Sequence, residues 1–295
     1  MVESKNSKKY FITYGSEDYV LQKKHLINLV RKSNYFDEQI PFGPKDLSSE
    51  FKSKFSDILK VQRGGGYWIW KCEILNRMLE KVNHGDYIVY SSAGSTFNKL
   101  GLERLDYYFD LLNSSESGNL RFQLTNHLEK NWTTKEIFKY FNIDVDSEIG
   151  NSEQLIANHF IIRKNKVSID IFKEFEKLIY NEPDLITDNN NSNGQIPTFR
   201  ENRHDQSIFS ILSKIYGHVA VDKDETFFLD NPLEQFDYPF LSSRKRKYTV
   251  GERILFYLLY PLNVNKPKYF KYKKSIVERV IYKISVNMHI YFYKK

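Results

Sequence analysis

Apolar residues in this chain fall into two patterns, short continuous runs and longer stripes spaced three or four apart, and the way the two alternate predicts the fold class. The run Tyr10, Phe11, Ile12, Thr13, Tyr14 is β-prone and stops at Gly15, as a buried first strand does. Leu21, His25, Leu26, Leu29 and Val30 follow at helical spacing, which makes an opening strand–helix unit of a parallel sheet. A second stripe, Ile69, Ile74, Leu75, Met78, Leu79 and Val82, predicts a helix over 67–82, and Tyr87, Ile88, Val89 and Tyr90 a second buried strand behind Gly85. Further strands are expected at 120–124 and 159–163. Helices are expected at 137–141, behind a capping box formed by Thr133 and Glu136, and at 169–179. Ile208, Ile211, Leu212 and Ile215 share one face of a last helix over 204–216, and the tract DNNNSNG at 188–194 reads as a surface loop. The expected architecture is α/β over residues 1–240, a Rossmann-like, mixed and mostly parallel sheet flanked by helices.

Past Pro239 the pattern changes. Arg244, Lys245, Arg246 and Lys247 form a cationic cluster, a second capping box spans 249–252, and an apolar run covers 254–260. Ile276, Val277, Val280, Ile281, Ile284 and Met288 then lie on one helical face with Arg279 and Lys283 off it. Residues 241–295 are expected to form a basic, α-helical, amphipathic C-terminal extension, either a second small core or an element lying on a membrane surface.

Composition narrows the function classes. A hydrophobic content of 41% over 295 residues supplies a sizeable core, and a net charge of +7 favours anionic partners. Outside 244–247 the basic residues are dispersed and no nucleic-acid-binding signature is present, so no nucleic acid partner is expected. Cys72 is the single cysteine, which allows no intrachain disulfide and suits a reducing compartment. The start, MVESKNSKK, lacks the apolar stretch of a signal peptide, and no apolar run reaches the ~18 residues of a membrane span. A cytoplasmic protein is expected, one that the basic tail would allow to sit peripherally on the inner face of a membrane. His127, His159 and His218 have no zinc-ligand spacing.

In an open α/β sheet, ligands bind outside the carboxyl ends of the strands. Thr13, Tyr14 and Gly15 end the first strand, and Ser91, Ser92, Ala93 and Gly94 form the loop after the strand at 87–90. Gly64, Gly65 and Gly66 give a backbone able to wrap a phosphate, with Arg63 before them and Tyr67, Trp68, Trp70 and Lys71 after. The plainer alternative is that the tryptophans are core and the glycines start a helix. Arg203, His204, Asp205 and Gln206 open the helix at 204–216, where Asp205 would suit an N-terminal cap or, equally, a site carboxylate.

The strings GGGYWIWKCEIL at 64–75, GDYIVYSSAG at 85–94 and RHDQSIFSIL at 203–212 resemble the signatures of a bacterial and viral glycosyltransferase family that works in capsule and surface-polysaccharide assembly. TYG at 13–15, EKNWTTKEIF at 129–138 and QLIANHFIIRKN at 154–165 match in the same order, so the resemblance covers about 8–246. It implies a GT-A-like fold, a nucleotide-diphosphate sugar donor, and a glycan or lipid-linked acceptor. It also implies site roles. Thr13, Tyr14, Gly15, Arg63, Tyr67, Trp70, Lys71, Ser91, Ser92, Ala93 and Gly94 would bind the donor nucleotide and its phosphates. Gln154, Asn158, His204, Asp205 and Gln206 would meet the sugar, with Asp205 as the catalytic residue.

One position departs from the pattern. Relatives carry a metal-binding aspartate where this chain has Ser92, and a hydroxyl is a poor ligand for Mn²⁺ or Mg²⁺. Three readings follow: diphosphate neutralised by Arg and Lys, a metal held by other carboxylates such as Asp205 or Asp230, or a relative that no longer catalyses. The first is preferred here, because cationic side chains do the same electrostatic work on a leaving phosphate.

Overall fold

Nine strands occur among the residues described by the computed structural model, which are 7–192, 194–222, 224–226 and 237–243. They are β1 (Lys9–Tyr14), β2 (Glu38–Phe42), β3 (Tyr87–Ser91), β4 (Thr96–Phe97), β5 (Asn119–Leu128), β6 (Glu153–Leu155), β7 (His159–Arg163), β8 (Val219–Val221) and β9 (Phe240–Leu241). The expected C-terminal extension, with its cationic cluster and second capping box, lies outside the described residues beyond Ser243.

Seven strands form one sheet. β2, β1 and β3 pair in parallel, β7 lies antiparallel between β3 and β5, and β5 also takes β6 antiparallel and β8 in parallel. Five strands therefore run one way and β6 and β7 the other, a mixed sheet that is mostly parallel in direction. The runs at 10–14 and 87–91 are buried throughout because helices cover both faces of the sheet.

Side chains alternate between two cores. Ile12, Tyr14, Ile88, Tyr90, Phe160 and Ile162 face the helices Lys71–Lys81, Lys166–Asn181 and Asp205–Tyr216. Phe11, Val89, Ile161, Leu120 and Phe122 face the helices Val20–Ser33 and Leu102–Asn113. The result is the expected α/β class, a sheet between two helical layers. Each strand expected from the sequence is present within a few residues of its expected bounds.

Two local expectations are corrected. The helix expected from 67 begins at Lys71, because residues 64–68 hold positive φ values incompatible with a right-handed helix. The capping box at Thr133 does not form: the helix Lys135–Tyr140 is capped by Thr134 without a side-chain bond, and the Thr133 hydroxyl donates to Glu129 Oε1 at 2.6 Å. The last described strand, β9, pairs antiparallel with β4, and Ser243 continues the contact through a hydrogen bond to Thr96. Among the described residues, no helix is long and apolar enough to cross a membrane.

Candidate active site

The site is built at the carboxyl end of β3. Lys71 and Asp205 are each the first residue of a helix, Lys71–Lys81 and Asp205–Tyr216, and the two helices start side by side. The Lys71 ammonium donates to Asp205 Oδ2 and to the Ala157 carbonyl, the latter at 2.6 Å, and lies 4.6 Å over the Tyr90 ring. Side-chain exposure is 2% for Lys71 and 6% for Asp205, so water screens this pair very little. Burial pushes the lysine pKa down and the aspartate pKa up, and each partner's charge opposes that drift. A cation at the start of a helix faces the positive end of its dipole, so Lys71 is placed against helix stability.

Arg121 completes the charge cluster. It sits in β5 next to Phe160 of β7, on the same core face as Tyr90, and is fully buried. Its Nε donates to Asn119 Oδ1 at 2.8 Å, and its guanidinium lies 4.4 Å from the Phe160 ring and 5.1 Å from the Phe209 ring. Both terminal nitrogens, Nη1 and Nη2, have no hydrogen-bond partner among the described residues. Burial pulls this pKa down to about 9, still cationic at neutral pH, and the Asp205 charge opposes the fall. Lys71, Arg121 and Asp205 together carry one net positive charge out of contact with water.

The rim next to the pair is strained. Gly64, Gly65, Gly66, Tyr67 and Trp68 hold φ of 63°, 60°, 95°, 51° and 61°, five left-handed residues in succession. Glycine is required at Gly66, where a Cβ would come within 2.8 Å of Leu59 Cα. This turn aims Trp70 so that its indole donates to Gly64 O at 2.9 Å and stacks on Tyr14 at 3.8 Å. Tyr67 and Trp68 pack on the His204 ring at 4.9 and 5.4 Å, and His204 itself has φ of 57°. Burial, followed by the Arg63 charge, lowers the His204 pKa to about 4.

Not every expected residue meets this cluster. Two of the three glycine N–H groups expected to wrap a phosphate donate to chain carbonyls, Gly65 to Gln62 O and Gly66 to Val61 O. Arg63 is 43% exposed and pairs with Asp188 at 3.3 Å and Glu201 at 3.1 Å. Gln154 is buried in a separate network: its amide donates to Glu129 Oε1 at 3.0 Å, and its oxygen accepts from Gln206 at 2.7 Å. Asn158 bonds Ser242 at 2.9 Å, and its carbonyl accepts the Ser92 N–H at 2.9 Å. Gly15 lies at the β1 end, where Lys23 Nζ bonds its carbonyl at 3.4 Å and Phe42 O at 2.7 Å.

The loop after β3 is held from outside. The Gly94 carbonyl accepts from Ser243 Oγ at 3.2 Å, and Ala93 is buried. By register Ser91 faces His159, whose Nε2 bonds Ser95 at 3.3 Å and Ser242 at 3.1 Å. The Thr13 and Ser91 hydroxyls are buried without a partner. Burial and the Lys71 charge lower the His159 pKa to about 3, so its ring is neutral.

A divalent metal does not fit this donor set. Ser92 offers a hydroxyl whose oxygen lies 3.5 Å from the Tyr90 hydroxyl, Asp205 is engaged by Lys71, and Asp230 lies outside the described residues. Among the described residues no group of three His, Cys, Asp or Glu is arranged to hold an ion.

No protein-family model and no curated protein matches the chain. Among solved structures it is similar to a glycosyltransferase involved in glycosylation of the major capsid of PBCV-1, with 9% identity, TM-score 0.46, 83% of this chain and 96% of that one covered. It is also similar to the bifunctional glycosyltransferase WbbM, with 10% identity, TM-score 0.47 and coverage of 96% and 52%. A third is mouse xyloside xylosyltransferase 1, with 7% identity, TM-score 0.41 and coverage of 77% and 90%.

Proposed function

We propose that the chain is a glycosyltransferase that moves a sugar from a nucleotide-diphosphate sugar to a glycan or lipid-linked acceptor. The observation that carries this reading is the buried Lys71–Asp205 pair, set between two helix N-termini at the carboxyl end of β3. A carboxylate and an ammonium placed there are the two groups sugar transfer asks for, a proton acceptor and a charge for the departing diphosphate. The ordered motifs at 64–75, 85–94 and 203–212 support the same reading, since each contributes a residue to this corner of the molecule.

In this reading the acceptor hydroxyl attacks the anomeric carbon. Its proton passes to Asp205 as the new carbon–oxygen bond forms. The bond to the diphosphate breaks, and the leaving group takes the electron pair and meets Lys71. Tyr14 and Trp70 offer stacked rings to the nucleotide at the β1 end. The Tyr67, Trp68 and His204 rings border the sugar. The proposed role in surface-polysaccharide assembly at the inner face of a membrane rests on the motif resemblance and on the basic residues at 244–247.

Calorimetric titration with a panel of nucleoside diphosphates and their sugars, run in Mn²⁺ and again in EDTA, tests the reading. Binding of at least one nucleotide sugar that survives EDTA is expected. Failure of every member to bind in either condition overturns it.

A further inference from the structure

We infer that Arg121 is a phosphate-binding residue of this site, the second cation that receives the donor diphosphate where Ser92 stands in place of an acidic metal ligand. The inference rests on the glycosyltransferase reading and adds a residue that no motif in the sequence marks.

Three observations converge on it. A fully buried guanidinium is costly, and leaving both terminal nitrogens unpaired adds the desolvation of their N–H groups without return. Neighbouring carboxylates accept no hydrogen bond from it: Asp205, whose charge favours the guanidinium, accepts from Lys71, and buried Glu129 accepts from Thr133, Gln154, Ser210 and Lys214. The Phe160 and Phe209 rings face the guanidinium and offer only weak compensation.

Second, the local charge is unbalanced. Lys71 and Arg121 against Asp205 leave one positive charge, and two helix N-termini point their partial positive ends into the same corner. His159, kept neutral by burial, adds no negative charge. A buried excess of this sign is relieved by an anion, and a guanidinium with both terminal NH2 groups unpartnered presents a fork of donors to phosphate oxygens.

Third, the other arginine of the region is already engaged. Arg63 is half-exposed and ion-paired to Asp188 and Glu201, whereas Arg121 has no such partner and shares its core face with Phe160 and with Tyr90, over whose ring Lys71 lies. The cation expected from the sequence at Arg63 is thus supplied from β5.

The test uses the full chain in EDTA, with inorganic pyrophosphate as probe and calorimetry as readout. Wild type is expected to bind, Arg121→Gln to bind roughly 10-fold more weakly or worse, as loss of charge-assisted hydrogen bonds implies, and Arg121→Lys to fall between. Arg200→Gln, which alters an exposed arginine over Trp132, serves as control and is expected to match wild type. So that the test does not depend on the folding of Arg121→Gln, the wild-type guanidinium ¹H–¹⁵N resonances are followed in parallel, and a shift of the Arg121 signals on adding pyrophosphate is expected. Unchanged pyrophosphate affinity in a folded Arg121→Gln, or no movement of those signals at saturation, overturns the inference and assigns ordered water to the two nitrogens. Absence of pyrophosphate binding to wild type overturns it as well. If pyrophosphate binds through Arg121 but no nucleotide sugar is turned over, the anion site stands and the transferase reading fails. If turnover occurs and Arg121→Gln leaves it untouched, the reverse holds.

Discussion

Replacing Lys71 by methionine keeps most of the side chain's volume, removes its charge, and strands Asp205 in the core. With side chains 2% and 6% exposed, the pair is protected from solvent screening, so the cost belongs to the class of broken buried ion pairs. That class loses about 3–5 kcal/mol, and the lower end is expected here because the Arg121 charge still acts on Asp205. For a domain of this size the loss lowers Tm by roughly 6–20 °C. The pH dependence gives a sharper signature. Without Lys71, burial raises the folded-state pKa of Asp205 further above that of an unfolded aspartate, about 3.9. Between the two values the folded state holds a proton that the unfolded state has released, so stability falls as pH rises through this window and the loss is complete above it. Urea unfolding of Lys71→Met is therefore expected to show its largest deficit near pH 7 and a recovery towards pH 4. Adding Asp205→Asn to Lys71→Met should restore most of the stability, since both charges are then gone. A Lys71→Met protein within 1 kcal/mol of wild type at pH 7, by the threshold set from buried-pair magnitudes, would refute the reasoning.

Acid should destabilise the wild type through its buried imidazoles. His159 and His204 are held to about 3 and about 4, below the unfolded value of about 6.5, so their contribution is full above that value and lost as pH falls towards the folded ones. The slope is on the order of 1.4 kcal/mol per pH unit for each histidine, and His159→Gln should flatten urea midpoints measured between pH 7 and 5; equal slopes would contradict this. Gly66→Ala should cost roughly 1–3 kcal/mol from the left-handed backbone, with more from the 2.8 Å approach to Leu59 Cα, read as a fall in thermal midpoint. Glu129→Gln leaves the Lys214 ammonium without its buried partner and should cost about 3–5 kcal/mol by chemical denaturation, with a near-neutral result counting against the assigned network.

Much of the fold was legible because continuous apolar runs mean strands covered on both faces, and that condition held for β1, β3 and β7. Short elements were less so: β4, β6, β8 and β9 span two or three residues each and leave no period to read. The backbone of 64–68 was not legible either, since three glycines announce freedom without announcing its sign, and Tyr67 and Trp68 take left-handed φ against their own preference.

At the site, Lys71 and Asp205 were nominated from separate motifs, and their pairing required the tertiary structure. Arg121 went unnominated although a signal existed. It lies between Leu120 and Phe122 in the first four residues of β5, which are all buried, so its charge had to be buried too. Gln154 was nominated through the motif resemblance. Its hydrogen bonds to Glu129, Thr133 and Gln206 join residues distant in sequence and required the tertiary structure.

Sugar transfer through Asp205 is read out by release of nucleoside diphosphate from the nucleotide-sugar panel, with wild type and Asp205→Asn side by side. Wild type is expected to release it from at least one sugar donor, and Asp205→Asn at a rate lower by about 10²–10⁴-fold with donor affinity changed only a few-fold. Wild-type release at the uncatalysed rate with every donor, or an Asp205→Asn protein as fast as wild type, would contradict it.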